Sequence, residues 1–183
     1  GFPFAVYPNW PSATNPWSSV RHYNEAEVGH RDSGYVAPTN GQNAIPVGSG
    51  MVVWCGDNFT NTSAFTWDLT GSPNAGPITL PVSYTPNFGI DDDGWNLVAN
   101  PYMSSVDWTV ATGTGWDKSS LEDAVYITDP DLAAYASWVS GASSNGGSPI
   151  IASSQSFWVK ANAGSPSLVI YEKAKSAVDQ GFF

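Results

Sequence analysis

The chain has 183 residues, which suits a single domain, and 42% of them are apolar, which is enough to bury a core. Sixteen acidic residues against six basic ones give a net charge of −10, which excludes the basic surface that nucleic-acid binding needs and disfavours an anionic membrane surface. No run of the sequence approaches the ~20 apolar residues of a membrane helix. The content of 14% aromatic residues, 18 glycines and 14 prolines is typical of a β protein rich in turns.

Alternation of apolar and polar residues predicts a series of short strands. In chain order they lie at 65–70, 78–84, 125–128, 155–161 and 168–171, and Pro81 indicates that the second lies at a sheet edge. Only two short helical turns are predicted, one at 129–135 and one at 172–177. Short strands, dense turns and little helix predict an all-β fold, an antiparallel β-sandwich of the jelly-roll type.

A weak internal duplication divides this single domain into two halves, about 1–90 and 91–183. At an offset of 105 residues, Ile45 corresponds to Ile150 and Val52 to Phe157. Each half then contains an Ile-led strand with small residues in its middle. Two related halves would close one sandwich by pairing across a pseudo-twofold axis.

Three strings carry a family resemblance: GWNLVANPYMSSVDW at 94–108, AVYITDP at 124–130 and IIASSQSFWVKA at 150–161. In this order they resemble a motif set, "GWNLVGNPYPS-IDW" through "GQGFFVKA", of secreted and surface proteins of Bacteroidetes exported by the type IX secretion route. Ala99 and Met103 stand where that family more often has Gly and Pro. The resemblance implies a non-catalytic β-sandwich, secreted or at the cell surface, of the kind found in adhesins and polysaccharide-degrading enzymes. It implies no particular ligand.

Several aromatic residues are candidates for a glycan-binding platform, because sugars dock their C–H faces on aromatic rings while a few polar groups set orientation. Trp158 has the strand parity of Ser156 and Lys160, opposite to that of Phe157. The predicted platform consists of Trp158, Trp116, Tyr135 and Trp138, with Asp117 to hold hydroxyls. Core packing is the alternative for each of these rings, and burial under loops over the sheet is the alternative for Trp158. For Trp54, Trp67, Trp95 and Trp108, core packing is the expectation.

Acidic residues at two turns are candidate calcium ligands, since calcium prefers oxygen ligands. One group is Asp91, Asp92 and Asp93, which precede a glycine, and the other is Asp129 with Asp131. A solvated acidic turn is the alternative for the first group and helix capping for the second. No other cofactor is expected.

Catalysis is a weaker interpretation. A glycoside hydrolase needs two carboxylates across the scissile bond, and Glu25, Glu27, Glu122 and Glu172 all lie outside the aromatic strands. We therefore expect no enzyme, and polysaccharide or cell-surface glycan as the partner. A structural module that self-associates through the aromatic residues of its termini is the alternative.

Overall fold

The computed structural model describes residues 20–28, 31–38, 44–53, 71–86, 92–129 and 131–181. Over these ranges the chain is all-β, as predicted, and its helical content is limited to two 3₁₀ turns, Arg31–Gly34 and Glu172–Ala174. None of the described residues forms a helix of the length and apolarity needed to cross a bilayer. The predicted strand at 65–70, together with Trp54, Trp67 and Asp91, lies outside the described residues.

Thirteen strands follow one another in the described part of the chain. They are β1 (Val20–Tyr23), β2 (Tyr35–Val36), β3 (Val52–Val53), β4 (Ile78–Leu80), β5 (Trp95–Ala99), β6 (Val106–Asp107), β7 (Trp116–Ser119), β8 (Ala124–Asp129), β9 (Ala134–Val139), β10 (Ala142–Ser144), β11 (Ile150–Ile151), β12 (Ser156–Lys160) and β13 (Ser167–Ile170). Every strand pair is antiparallel. The predicted antiparallel β-sandwich is therefore confirmed.

The core lies between a five-stranded sheet, in the order β10-β9-β8-β12-β5, and a three-stranded sheet, in the order β4-β13-β7. In the larger sheet Phe157 of β12 pairs with Val98 of β5, and both are fully buried. Leu168 and Ile170 of β13 belong to the same buried cluster from the opposite layer. Their period-two spacing places both on the inner face of β13.

Two smaller sheets complete the fold, β2-β1-β3 and β11-β6. The segment before β3 runs along the free side of β5, where the Gly50 N–H donates to the Leu97 carbonyl at 3.1 Å. A Cβ at Gly50 would overlap the backbone of Leu97 and Val98, so glycine is required for this approach. The first sheet is thereby held beside the outer face of the five-stranded sheet, where β1 contacts β5.

Local sequence explains where two predicted elements end. The predicted strand at 78–84 stops at Leu80, because Pro81 has no N–H to continue the ladder, and β4 is an edge strand as expected. The predicted helical turn at 129–135 is a hairpin turn between β8 and β9, in which an Asp129 Oδ1 accepts the N–H of Asp131 and of Leu132. The second predicted helical turn is present at Glu172–Ala174.

The Asn-Pro turn after β5 is organised by one buried side chain. The Asn100 amide donates to the carbonyls of Ser104 at 2.8 Å and Ala152 at 2.9 Å, and its Oδ1 accepts the N–H of Tyr102 at 3.0 Å. Asn100 thus binds the turn to the loop before β12. The Asn-Pro-Tyr string thus has a structural role in the fold. The pairing of two related halves stays a prediction.

Candidate functional site

A cleft walled by aromatic rings lies on the outer face of the five-stranded sheet. Its volume is about 150 Å³. The described residues that line it are Tyr23, Asp32, Tyr35, Trp95, Tyr126, Tyr135 and Trp158. Each of the six rings comes from a different strand, in chain order β1, β2, β5, β8, β9 and β12. The cleft therefore exists only in the assembled fold.

Strand alternation places the rings of the floor. Phe157 and Val159 face the core, so Trp158 between them points to the opposite face of the sheet. Tyr126 of β8 is the register partner of Trp158, and its ring centroid lies 5.1 Å from that of Trp95, at an interplanar angle of 69°. Three neighbouring strands thus present rings on one surface.

The ribbon of β1 and β2 supplies the wall. Tyr23 lies 4.8 Å from Trp158 at 78°, and Tyr35 lies 6.0 Å from it at 83°, measured between ring centroids. Tyr23 and Tyr35 also meet nearly at right angles, an arrangement that sets positive ring edges against negative ring faces. These contacts leave Trp158 only 4% exposed. Burial under loops is the alternative that the sequence leaves for Trp158, and the ribbon of β1 and β2 covers it instead.

One buried donor of a residue that lines the cleft has no hydrogen-bond partner. Among the described residues, three buried side-chain polar atoms make no hydrogen bond, and the Nε1 of Trp158 is the one whose residue lines the cleft. A buried donor left unpaired costs about 1–3 kcal/mol. A bound molecule that offers an acceptor to this indole would remove that cost.

The polar rim of the cleft combines tyrosine hydroxyls with one carboxylate. Burial first, and then the neighbouring Tyr135, Tyr23 and Asp32, raise the pKa of Tyr35 to about 12. A side-chain interaction with Tyr135 contributes in the same direction. Tyr35 is therefore a neutral phenol near neutral pH, and the formal charge among the described lining residues is carried by Asp32.

Of the predicted platform residues, the structure brings Trp158 and Tyr135 together and leaves three others elsewhere. Trp116 is 0% exposed in the core, 4.9 Å from Trp108 by ring centroids, and its Nε1 donates to the Asp107 carbonyl at 2.8 Å. Trp138 is buried in the same core cluster. Neither indole presents a face to a ligand, in contrast to the expectation of an exposed platform.

Asp117 stabilises turns and does not line the cleft. Its carboxylate accepts the Gly113 N–H at 3.0 Å and the hydroxyl of Tyr171. The hydrogen bond to Asp117 is the main reason that the pKa of Tyr171 is raised, followed by burial. Asp117 thus connects β7 to the residue that follows β13.

Among the described residues, no group of three or more His, Cys, Asp or Glu side chains is arranged to hold an ion; Asp91 lies outside them, so the calcium site stays a prediction. Asp93 is buried and Asp92 is partly buried at the turn into β5. Asp129 accepts the N–H of Asp131 within the β8–β9 hairpin turn and caps no helix, and Asp131 is exposed.

The glutamates of the N-terminal ribbon have different surroundings. Glu25 is buried, and its carboxylate accepts the N–H of Thr85 at 2.6 Å, the hydroxyl of Ser83 at 3.0 Å and the N–H of Gly94 at 3.3 Å. Glu27 is exposed and accepts from the Asn24 amide. Glu25 therefore fixes the ribbon that carries Tyr23 to the segment after β4 and to Gly94, which precedes β5.

A larger cavity of about 450 Å³ lies on the other side of Tyr23, between β1 and the segment before β3. Its buried polar side chains, Glu25 and Asn96, are both hydrogen-bonded, Asn96 to the N–H and carbonyl of Ser83. None of the unpartnered polar atoms of the described chain belongs to a residue that lines it. The aromatic cleft is for this reason the better candidate site.

Sequence reasoning missed Tyr23, Asp32, Tyr35, Trp95 and Tyr126 as site residues. The alternation in β8 already distinguished Tyr126 from its core-facing neighbours, and the same alternation applied to β5 would have separated Trp95 from Asn96 and Val98. Trp95 was expected to pack in the core, whereas it is partly exposed at the cleft.

Comparison of the chain with protein-family models, curated proteins and solved structures finds no match, so the resemblance to Bacteroidetes surface proteins stays a prediction.

Proposed function

We propose that this chain is a non-catalytic module that binds a glycan outside the cell, and that the aromatic cleft receives one sugar ring. The observation that carries the proposal is the convergence of six aromatic rings on a single cleft, one of them an indole whose buried N–H has no partner. Aromatic faces suit the C–H faces of a pyranose, and a few polar groups orient its hydroxyls.

The size of the cleft agrees with one ring. A volume of about 150 Å³ equals that of roughly five liquid waters at ~30 Å³ each, and it is below the roughly 300–1,000 Å³ of pockets for larger ligands. The remainder of an oligosaccharide would lie outside, beside Tyr135, which is 49% exposed.

The lining residues favour binding over hydrolysis. Glycoside hydrolases use two carboxyl groups within roughly 5–10 Å of each other, whereas Asp32 is the one carboxylate among the described lining residues. The Glu25 carboxylate is engaged by three donors. This support for a binding role agrees with the resemblance drawn from the sequence.

A panel of neutral, amino and acidic oligosaccharides, measured by isothermal titration calorimetry, tests the proposal. Tyr135→Ala should weaken binding by about fivefold, since one stacked ring supplies on the order of 1 kcal/mol. Val139→Ala is the matched control: Val139 lies on the same face of β9, is 39% exposed and does not line the cleft. If no glycan of the panel binds, or if both variants bind like the parent chain, the proposal fails.

Self-association is the second candidate. Strand β10 is the edge of the five-stranded sheet, and its three residues are all exposed. An uncovered edge strand can pair with another chain. Size-exclusion chromatography over a hundredfold range of concentration separates the two roles, because a concentration-independent monomer argues against assembly through this edge.

A further inference from the structure

The β9–β10 hairpin is followed by a second tight turn, at 144–147. Its central residues, Asn145 and Gly146, have φ angles of 51° and 74°, and the Gly147 N–H donates to the Ser144 carbonyl at 2.9 Å. Positive φ at both central positions is typical of a type I′ turn, for which Asn-Gly is a preferred pair. Both central residues are exposed, so the turn presents this dipeptide at the surface.

An asparagine followed by glycine can react with its own main chain. Asn145 is the one asparagine of the described chain that precedes a glycine. Because glycine has no Cβ, the nitrogen of Gly146 is open to the Asn145 side chain, and its N–H donates no backbone hydrogen bond among the described residues. Asn100, by contrast, is buried and hydrogen-bonded and precedes a proline, which has no N–H.

We infer that Asn145 is a site of spontaneous covalent modification, at which the asparagine is converted to aspartate and isoaspartate without an enzyme. The Gly146 nitrogen forms a bond to the Asn145 Cγ while the Cγ–Nδ2 bond breaks, and Nδ2 leaves as ammonia with the proton of the Gly146 N–H. Water then opens the five-membered ring at one carbonyl to give aspartate, or at the other to give isoaspartate, in which the main chain runs through Cβ and Cγ. No oxidant or reductant takes part.

The folded chain allows this reaction, because what restrains Asn145 lies at the surface. Its Nδ2 donates to the Tyr135 carbonyl at 3.0 Å in an exposed hydrogen bond, and ring closure must break this bond. Strand β10 is the edge of its sheet and its residues are all exposed. Opening of an exposed edge turn leaves the buried core intact, and such segments open far more readily than the whole fold.

Conversion would release the turn from β9. A carboxylate only accepts hydrogen bonds, so it cannot replace the Nδ2 donor at the Tyr135 carbonyl. Isoaspartate also lengthens the main chain in a turn that has no spare room, since a Cβ on Gly147 would lie 2.1 Å from the Ser137 carbonyl oxygen. Tyr135 lines the aromatic cleft. The modification would therefore loosen a strand that carries one of its rings, whatever the cleft binds.

Tryptic peptide mapping of the aged, folded chain isolates the site, because the peptide 119–160 contains Asn145 and no other asparagine. After incubation at mildly alkaline pH, this peptide should gain the mass difference between an amide and an acid, in two products that chromatography separates. Asn162, in the peptide 161–173, is the matched control: it is exposed and precedes an alanine, whose Cβ hinders the attack, and it should convert several-fold more slowly. The other Asn-Gly pair, at 40–41, lies in the peptide 32–118 and outside the described residues.

The same samples decide against the inference if the peptide 119–160 of the folded chain keeps its mass while that of the urea-unfolded chain gains it, because the turn would then protect Asn145. Equal conversion of Asn145 and Asn162 also overturns it. Asn145→Gln should abolish the mass gain, since a glutamine would have to close a larger ring; a gain that persists in this variant would belong to Gln155 and contradict the assignment.

Thermal melts test the release of the turn from β9. Anion exchange separates the aged form by its additional negative charge, and this form should melt at a lower temperature than the parent chain. Asn145→Asp supplies the charge without the longer main chain and should show a smaller decrease. An aged form as stable as the parent chain would contradict the release. None of these results bears on the proposed glycan binding, which calorimetry tests separately.

Discussion

The ring of Tyr23 in β1 packs edge-on against the ring of Trp158 in β12, with 4.8 Å between centroids and 78° between planes. This contact joins two sheets and gives the cleft both a floor and a wall. Trp158 is 4% exposed and its Nε1 has no partner, so the packing that stabilises the ribbon also leaves a buried donor without a hydrogen bond.

The two buried indoles should respond differently to loss of their N–H groups. Trp116→Phe leaves the Asp107 carbonyl without its donor, whereas Trp158→Phe removes a donor that has no partner. We expect Trp158→Phe to lower the free energy of unfolding by about 1–3 kcal/mol less than Trp116→Phe does. Urea denaturation measures both, and equal losses would contradict the assignment of Trp158 Nε1 as unpaired.

The Glu25 carboxylate should be a main attachment of the β1–β2 ribbon. Glu25→Gln retains the shape of the side chain but weakens acceptance from Thr85, Ser83 and Gly94. We expect a loss of about 1–3 kcal/mol in the free energy of unfolding, as for hydrogen bonds to a charged group. Glu27→Gln, at the exposed neighbour, should change it by less than about 0.5 kcal/mol; a similar loss in both variants would show that the Glu25 contacts are not responsible.

The Asn100 amide should be essential to the turn after β5. In Asn100→Ala the carbonyls of Ser104 and Ala152 and the N–H of Tyr102 lose their partner. The expected cost is about 2–4 kcal/mol, the range of a broken buried network. Asn162→Ala, at an exposed position with no side-chain hydrogen bond among the described contacts, should leave the free energy of unfolding nearly unchanged. Thermal melts compare the two variants, and an Asn100→Ala variant as stable as the parent chain would contradict the role of Asn100 in the turn.

The stability of the ribbon should depend on alkaline pH through Tyr35. Its pKa rises from 10.0 in the unfolded reference to about 12 in the fold, chiefly because of burial. The protonated form is thus favoured by folding, and this contribution is complete below pH 10 and lost as the pH rises from 10 through 12. Melting temperatures across that range should fall less steeply for Tyr35→Phe than for the parent chain, and parallel slopes would argue against a buried Tyr35 hydroxyl.

Period-two alternation predicted the face of each residue in β8 and β12, because one face of the sheet meets a continuous apolar layer. It therefore predicted that Trp158 leaves the core. Nothing in the local pattern predicted that Tyr23 and Tyr35, more than 120 residues earlier in the chain, would cover it. Trp116 was misjudged for a related reason: it follows a loop rich in Gly and Thr, yet β7 packs against β13 and turns the indole inward. Contacts between distant segments, and not local propensity, decide which indole lines a cleft.

The indole N–H resonance of Trp158 reports most directly on whether the cleft binds a sugar. In a two-dimensional ¹H–¹⁵N spectrum it can be assigned by its disappearance in Trp158→Phe and followed during titration with each oligosaccharide of the panel, including those that bind in calorimetry. We predict a saturable shift of this resonance with the calorimetric dissociation constant, while the resonance of the Trp116 indole, which is hydrogen-bonded to the Asp107 carbonyl in the core, stays in place. A stationary Trp158 resonance at saturating ligand would contradict it.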